Sequence, residues 1–444
     1  MSRFRWVICA LLFFSTTVNY LDRQVISYLK EFFCTPAALG GFGWSNSQFS
    51  DLTSFFTGVY AAATIFAGWF IDKIGTKLGL ALSLTVWSFF GILNAFVGSL
   101  LWMHIAVRSF FALGEAGNFP ASIKTVAEWF PKRERALATA IFNAGSNSGA
   151  MIAALLVPTC VVWFGAQQGW KWAFIITGAG GLLWLIFWFR FYNPPNQHKS
   201  LSKAEYDYIH IDDENPVDSQ TGDQTAKVSW LKLFGYRQLW AFFAGKFMTD
   251  GIWWFYLFWL PDYLIKQFGM KPEQVRIPTF IIYGVAIIGS VYGSSIPLTL
   301  IRRGFPVYKA RMTTMFLIAL FPLTVLSTQY FGNKDHFGQW AEILAIATIC
   351  IGCTAHQAWS ANLFTTVSDM FPKKTVASVT GIGTMAGGIG GVIIQKLQGH
   401  LRDAYIQTPQ TAYLIMFTIC AFSYLAAWAM MKALVPRHQP ITDL

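Results

Sequence analysis

The chain has 444 residues, of which 54% are hydrophobic, 17% aromatic and only 12% charged. Soluble globular chains carry about 25% charged residues, so a water-bathed surface over most of this chain is excluded. A formal net charge of +11 would suit a nucleic-acid partner, but the basic residues are dispersed between apolar runs and form no single patch, which argues against one.

Apolar runs of roughly 20 residues recur from end to end, each long enough to cross about 30 Å of hydrocarbon as a helix. They lie near 6–29, 50–71, 79–101, 103–127, 136–164, 171–192, 238–265, 277–300, 312–331, 341–368, 376–397 and 411–434. Barrel strands would alternate in polarity over about ten residues, and these runs do not. The expected fold class is therefore an all-α membrane protein of about twelve transmembrane helices. The N-terminus, the gaps after every second run and the C-terminus hold about 20 Lys and Arg, and the opposite face about 8. That asymmetry predicts both termini in the cytoplasm.

The first run opens as MSRFRWVICALLFF, which is too long in its apolar part for a secretory signal and has no small-x-small cleavage site behind it. It ends in VNYLDRQVIS, with Asp22 and Arg23 adjacent. On a helix, neighbours point about 100° apart. One can face a central cavity while the other faces an adjacent helix.

The second run carries Tyr60 and closes in GWFIDKIGTKLG, with Gly68, Asp72, Lys73, Gly75 and Lys77. This stretch resembles the major facilitator superfamily signature G-x-x-x-D-[RK]-x-G-[RK]-[KR], with Thr76 standing where the signature has a base. Gly68 is expected to let two helices approach closely, and Asp72 to pin a neighbouring helix by charge. A degenerate copy without the acid, LIRRGFPVYKAR, recurs in the second half.

In the fourth run Arg108 and Glu115 are seven apart, two turns on one face and about 10.5 Å along the axis. That is too far for a comfortable pair, so each needs a partner elsewhere. The fifth run adds Asn143, Ser146 and Asn147. A polar stretch at 193–237 then separates six runs from six, and Ser202 with Glu205 reads as a capping box opening a short helix. The expected organisation is an N-terminal bundle over 1–192, a cytoplasmic linker over 193–237, and a C-terminal bundle with its tail over 238–444.

The seventh run, GKFMTDGIWWFYLFWLP, places Lys246 and Asp250 four apart, a spacing that allows a pair. Its Trp253, Trp254 and Trp259 suit either membrane-interface anchors or an aromatic cavity wall. The tenth run contains AHQAWSANLF, with His356, Gln357, Trp359, Ser360 and Asn362. Cys350, Cys353 and His356 lack a second ligand pair, so neither a metal nor a cofactor is expected. The eleventh run repeats the fifth: FPKKTVASVTGIGTMAGGIG at 371–390 aligns without a gap on FPKRERALATAIFNAGSNSG at 130–149. Such internal repeats mark transporters built of two halves with substrate bound between them. The glycine run at 381–391 is expected to serve close helix packing, since no strand precedes it to make a nucleotide loop.

Asp22, Arg23, Arg108, Glu115, Lys246 and Asp250 all fall inside apolar runs. At roughly 2.5–3.5 kcal/mol each they would cost on the order of 15–20 kcal/mol unpaired. That exceeds a typical net stability of about 5–15 kcal/mol, so they must pair or line water. Two arginines near a cavity suit a carboxylate. Amides, hydroxyls and aromatic faces around it suit a polyhydroxylated ligand.

The stretches NYLDR, GWFIDKIG, RSFFALGEAGNFPASIKTVAEWFPKRERALATAIFNAGSNSG, GKFMTDGIWWFYLFWLP and AHQAWSANLFTTVSDMFPKK together resemble the anion:cation symporter family of the major facilitator superfamily, and its hexuronate (glucuronate and galacturonate) transporters most of all. The resemblance implies a major facilitator fold of two pseudo-symmetric six-helix bundles in a bacterial inner membrane, working as a monomer with protons, a sugar-acid anion and the lipid bilayer as its partners. It implies proton coupling by Asp22 and Glu115, and carboxylate binding by Arg23 and Arg108. Tyr60 maps to the substrate site, and Asn143, Asn147, Trp359 and Asn362 map less firmly to contacts with sugar hydroxyls. One departure is Gly251, where a proline often follows the acid of the seventh span. An organic-anion or phosphate-ester exchanger and a transporter-like sensor are the competing readings. No nucleophile–base constellation suggests an enzyme.

Overall fold

A computed structural model describes residues 4–198, 201–211, 230–437 and 439–441. The first half runs through α1 (Phe4–Cys34), α2 (Asn46–Ile74), α3 (Thr76–Leu93), α4 (Leu101–Glu115), α5 (Asn118–Trp129), α6 (Lys132–Phe164) and α7 (Ala166–Phe191). A short α8 (Lys203–Ile209) follows. The second half comprises α9 (Arg237–Phe268), α10 (Arg276–Arg302), α11 (Val307–Leu320), α12 (Ala341–Met370), α13 (Lys373–Ala404) and α14 (Pro409–Leu434). Among the described residues, ten helical stretches are long and apolar enough to cross a membrane. The other two expected crossings are the broken pair α4–α5 and the charge-bearing α9, so the twelve-run reading corresponds to the helices found.

The turns follow from the sequence. Gly75 alone separates α2 from α3 and Gly165 alone separates α6 from α7, at φ of +89° and +73°. A side chain is strained in that region, and glycine is not. Ser45 opens α2 with a complete capping box to Gln48.

The internal repeat has a structural counterpart. Phe130 and Phe371 are extended, and a proline follows each before a helix of more than thirty residues begins. In the first half α6 packs on α1 and reaches across to α10; in the second, α13 packs on α9 and reaches across to α2. The glycine run serves this contact. A Cβ at Gly388 would collide with Ala61, one at Gly391 with Thr57 and Trp254, and one at Gly387 with Asp250. Gly251 likewise lies against the backbone of Gly390, and α9 runs on through it as one helix.

Two expectations are corrected here. Gly68 has nothing within 4 Å of where its Cβ would stand. A side chain there would meet nothing, so this glycine permits no close approach. Ser202 does cap α8, accepting from the Glu205 backbone N–H at 3.3 Å. The Glu205 carboxylate, however, does not complete a box. It accepts from the Phe4 and Arg5 backbone N–H groups and from Arg5 Nη1, at 3.1, 3.2 and 3.0 Å, and so joins α8 to the start of α1. The rest of the polar stretch, 212–229, lies outside the described residues.

Candidate functional site

Near the midpoint of α1 the two charges part as a helix requires. Arg23 Nε donates to Glu115 Oε2 at 3.0 Å and Nη2 to Asn19 Oδ1 at 3.4 Å. Its guanidinium lies 4.4 Å from the ring centre of Tyr20, 4.7 Å from Tyr60 and 5.3 Å from Trp254. Trp254 belongs to the second half, so Arg23 stands where the halves meet. Asp22 turns the other way, 2% exposed, towards Trp87 of α3 and Thr177 of α7. Both its oxygens are buried without a hydrogen-bond partner.

The fourth crossing supplies the complement. Glu115 is the last residue of α4, held there because the helix breaks at Ala116 and Gly117, where Gly117 fits against the Ser83 side chain with no room for a Cβ. Arg108, two turns earlier, donates from Nη2 to the Arg23 carbonyl at 3.3 Å, with its guanidinium 4.5 Å from the Phe111 ring centre and 4.9 Å from that of Phe56. Its Nε and Nη1 are buried without a partner. Arg108 and Glu115 thus find partners on α1 and not on each other. The result is a buried group of two cations and two acids in which one acid is paired with a guanidinium.

In the second half Lys246 and Asp250 pair at 2.5 Å across one turn of α9. His356 Nδ1 lies 2.8 Å from the Tyr424 hydroxyl, and its ring stacks on Trp253, 4.9 Å away and within 3° of parallel. Gln357 Nε2 reaches across to Asn147 Oδ1 at 3.4 Å, joining α12 to α6. Asn143 is exposed, and its carbonyl accepts from the Ser146 hydroxyl.

Other expected residues do different work. Asn362 is fully buried and its Nδ2 donates to the carbonyls of Gly293 and Ala358 at 2.9 and 2.8 Å, binding α12 to α10. Trp359 is also fully buried, edge-on to Tyr424 inside the second half. Trp253, Trp254 and Trp259 are not interface anchors. Trp259 is wholly buried and donates to Gln395 Oε1 at 2.5 Å, and Trp254 is 7% exposed.

The signature stretch is a small structure of its own. Asp72 accepts from Lys124 of α5 at 2.8 Å, the neighbouring-helix pin expected of it, though at 72% exposure the pair contributes little to stability. Lys77 donates to Asn193 Oδ1 at 2.7 Å, and Lys73 lies over the Trp69 ring. Thr76, the departure from the signature, bonds to Tyr192 at 2.6 Å and Glu128 at 2.9 Å. The hydroxyl there joins the start of α3 to α5 and to the residue that ends α7.

Residues not anticipated cluster where α1 ends and α2 begins. Lys30 donates to Asp262 Oδ1 and Asn46 Oδ1, both at 2.7 Å. Asp262 Oδ2 accepts from Arg402 Nε at 3.1 Å and from the Tyr413 hydroxyl. Asp403 accepts from the Asn46 and Ser47 backbone N–H groups at 2.9 and 2.8 Å. Glu31 pairs with Lys266 at 2.9 Å, and Asp51 with Lys396. The halves are therefore tied together at the end of the bundle opposite the N-terminus.

Comparison with known proteins agrees with this architecture. Residues 12–394 match the family model of the Major Facilitator Superfamily. A hexuronate transporter of Escherichia coli K12 is 29% identical over 430 residues, covering 96% of this chain and 94% of that protein. A D-galactonate transporter of Escherichia coli O6:H1 (strain CFT073) is 26% identical over 434 residues, covering 95% of each. Among solved structures, a bacterial homologue of the human lysosomal transporter Spinster, inward-facing and unoccupied, superposes with a TM-score of 0.73 over 100% of both chains at 16% identity.

Proposed function

The chain belongs to the Major Facilitator Superfamily, and on that premise we propose that it imports a sugar-acid anion, a hexuronate such as glucuronate or galacturonate, by proton symport. The observation that carries this reading is Arg23, held by Glu115 at 3.0 Å among Tyr20, Tyr60 and Trp254 at the junction of the halves. A guanidinium offers a planar fork to a carboxylate. Aromatic faces with amides near them suit the C–H and hydroxyl edges of a sugar. The hexuronate and galactonate transporters among its relatives point to the same class of solute.

With both termini in the cytoplasm, as the Lys and Arg asymmetry favours, the end tied by Lys30, Asp262 and Asp403 faces outward and the substrate site opens inward. Transport then proceeds by exchange of partners. The substrate carboxylate takes the guanidinium of Arg23, with Arg108 behind it. Glu115, deprived of its cation, accepts a proton, because a bare carboxylate in a water-poor site is costly. Asp22, buried without a cation of its own, is the second proton carrier. Substrate and proton together leave the cavity electrically no worse than before, so the halves can rock over it. Tyr60, Asn143, Asn147, His356 and Gln357 read the hydroxyls, and the Lys246–Asp250 pair lines the second-half wall. Trp359 and Asn362 support that wall from within. The protein acts as a monomer in a bacterial inner membrane.

The test is uptake of labelled glucuronate by purified protein in liposomes, with an inward proton gradient imposed or withheld. Accumulation that needs the gradient is the expected result. Rapid exchange into preloaded liposomes with no gradient-driven accumulation would make the protein an exchanger, and no movement of any sugar acid would sink the substrate class.

A further inference from the structure

Lys30 stands seven residues beyond Arg23 on α1, two helical turns and about 10.5 Å further out, on nearly the same face. The two cations form a short ladder along one side of one helix. The outer rung is occupied by a carboxylate of the protein itself: Asp262, reached across the junction of the halves at 2.7 Å. The contact is dry, with the Lys30, Asp262 and Arg402 side chains 2%, 1% and 4% exposed. Lys30 Nζ also lies 4.9 Å from the Trp259 ring centre.

The partners divide unevenly between the halves. Asp262 keeps Arg402 and Tyr413, which share its half, however the halves move. Lys30 keeps Asn46, whose carbonyl oxygen carries no charge, and the Phe49 ring, 5.7 Å from its ammonium. Parting the halves at this end therefore leaves a neutral pair on one side and an uncompensated ammonium on the other. Of the other ties at this end, Glu31–Lys266 and Asp51–Lys396 are about a third exposed, so water replaces their partners at small cost, and Asp403 takes only neutral N–H groups of Asn46 and Ser47 from the first half. Lys30 is the deeply placed charge that changes most.

We propose that Lys30 is a first landing site for the substrate carboxylate in the outward-open state, and that Asp262 is the internal carboxylate that takes the substrate's place as the mouth closes. The substrate then moves two turns inward to Arg23. Closure behind it leaves no buried ammonium unpaired, so the same pair that lures the anion also shuts the door. This rests on the reading of the protein as a sugar-acid importer and adds to it an outer site and an order of events.

The experiment compares Lys30→Gln, Lys30→Arg and Asp262→Asn with the wild type in liposomes, measuring initial glucuronate uptake against external concentration. A latch alone is lost equally in Lys30→Gln and Asp262→Asn, and both would change the maximal rate with KM moving alike. A landing site separates them. Lys30→Gln should raise KM on the order of tenfold, the worth of one charge-assisted bond. Asp262→Asn should lower the maximal rate with KM unchanged or reduced, and Lys30→Arg, which keeps the charge, should recover part of the KM lost in Lys30→Gln. Equal KM values in Lys30→Gln and Asp262→Asn overturn the landing site. Should Asp262→Asn not fold, Lys30→Gln with wild-type KM overturns it just as well. No uptake by the wild-type protein sinks the importer reading and the landing site with it, a result distinct from wild-type uptake with an unmoved Lys30→Gln.

Discussion

Glu115, at the last residue of one broken helix, accepts from Arg23 at 3.0 Å, and neither side chain is more than 2% exposed. Replacing a buried pair by apolar residues is often neutral, whereas removing one partner costs about 3–5 kcal/mol because it strands a charge. An exchangeable partner solves that problem only if it brings charge of the right sign. In the proposed mechanism the substitute for Arg23 is a substrate carboxylate, and for Glu115 a proton.

Glu115→Gln separates those two exchanges. The amide keeps an oxygen for Arg23 but cannot carry a proton in and out. Exchange of labelled glucuronate between preloaded liposomes and medium should stay within a few-fold of wild type. Gradient-driven accumulation should vanish, leaving inside and outside equal. Accumulation that survives in this variant removes Glu115 from the proton path.

Arg108→Ala should weaken binding by about 100-fold, and Arg108→Lys should restore little of it. Arg108 spends one donor on the Arg23 carbonyl and holds two more nitrogens buried and unpartnered, which an ammonium cannot place in the same plane. A loss of about 100-fold in affinity corresponds to roughly 3 kcal/mol, the upper range for hydrogen bonds to a charged group. Equilibrium binding of labelled glucuronate to detergent-purified protein reads this directly, and wild-type affinity in Arg108→Ala would place the carboxylate elsewhere.

Asp22→Asn should differ from Glu115→Gln in stability. Asp22 has no cation to leave behind, and asparagine matches the shape of its protonated form. Thermal unfolding in detergent should be unchanged or slightly raised, while the initial rate of gradient-driven uptake falls at least about tenfold, a barrier change near 1.4 kcal/mol. A strongly destabilised Asp22→Asn would mean that its charged form is the one the fold requires.

The sequence made Asp22, Arg23, Arg108 and Glu115 conspicuous because each interrupts an apolar run, where a charge needs a reason. Lys30, Asp262 and Arg402 sit near the ends of their runs, where charges commonly meet water, and nothing local marks them. Only the crossing of α1, α9 and α13 brings together residues more than a hundred positions apart. The fold was legible for a related reason, since run length and the repeat at 130–149 and 371–390 are properties of the chain itself. Side-chain duty was less so. Asn362 and Asn147 are the same residue type at similar depth, yet one binds helix to helix within a half and the other reaches across the junction.

That difference is open to measurement. Asn362→Ala removes a bond to the Gly293 carbonyl that holds α12 against α10, and a second to the Ala358 carbonyl within α12. Polar contacts between membrane helices contribute about 0.6 kcal/mol on average and up to about 1.7. The variant should unfold a few degrees earlier with an unchanged KM for glucuronate. A raised KM at wild-type stability would instead return Asn362 to the sugar site.

Gly388→Ala tests the closure of the halves without touching any charge. Its Cβ would be driven into that of Ala61 on the opposite half, and overpacking of this kind costs about 1–3 kcal/mol. Because the clash exists only while the halves are together at that level, the cost falls on one state and not on the fold as a whole. Gly381→Ala on the same helix is the control, since nothing lies within 4 Å of its Cβ. Spin-label distances between the start of α2 and the end of α13 should lengthen in Gly388→Ala and stay at the wild-type value in Gly381→Ala. At 1.4 kcal/mol the ratio of open to closed populations shifts about tenfold. If both variants leave the distance unchanged, the α2–α13 contact is not what holds that end shut, and the polar ties around Lys30, Glu31, Asp51 and Asp403 carry the closure.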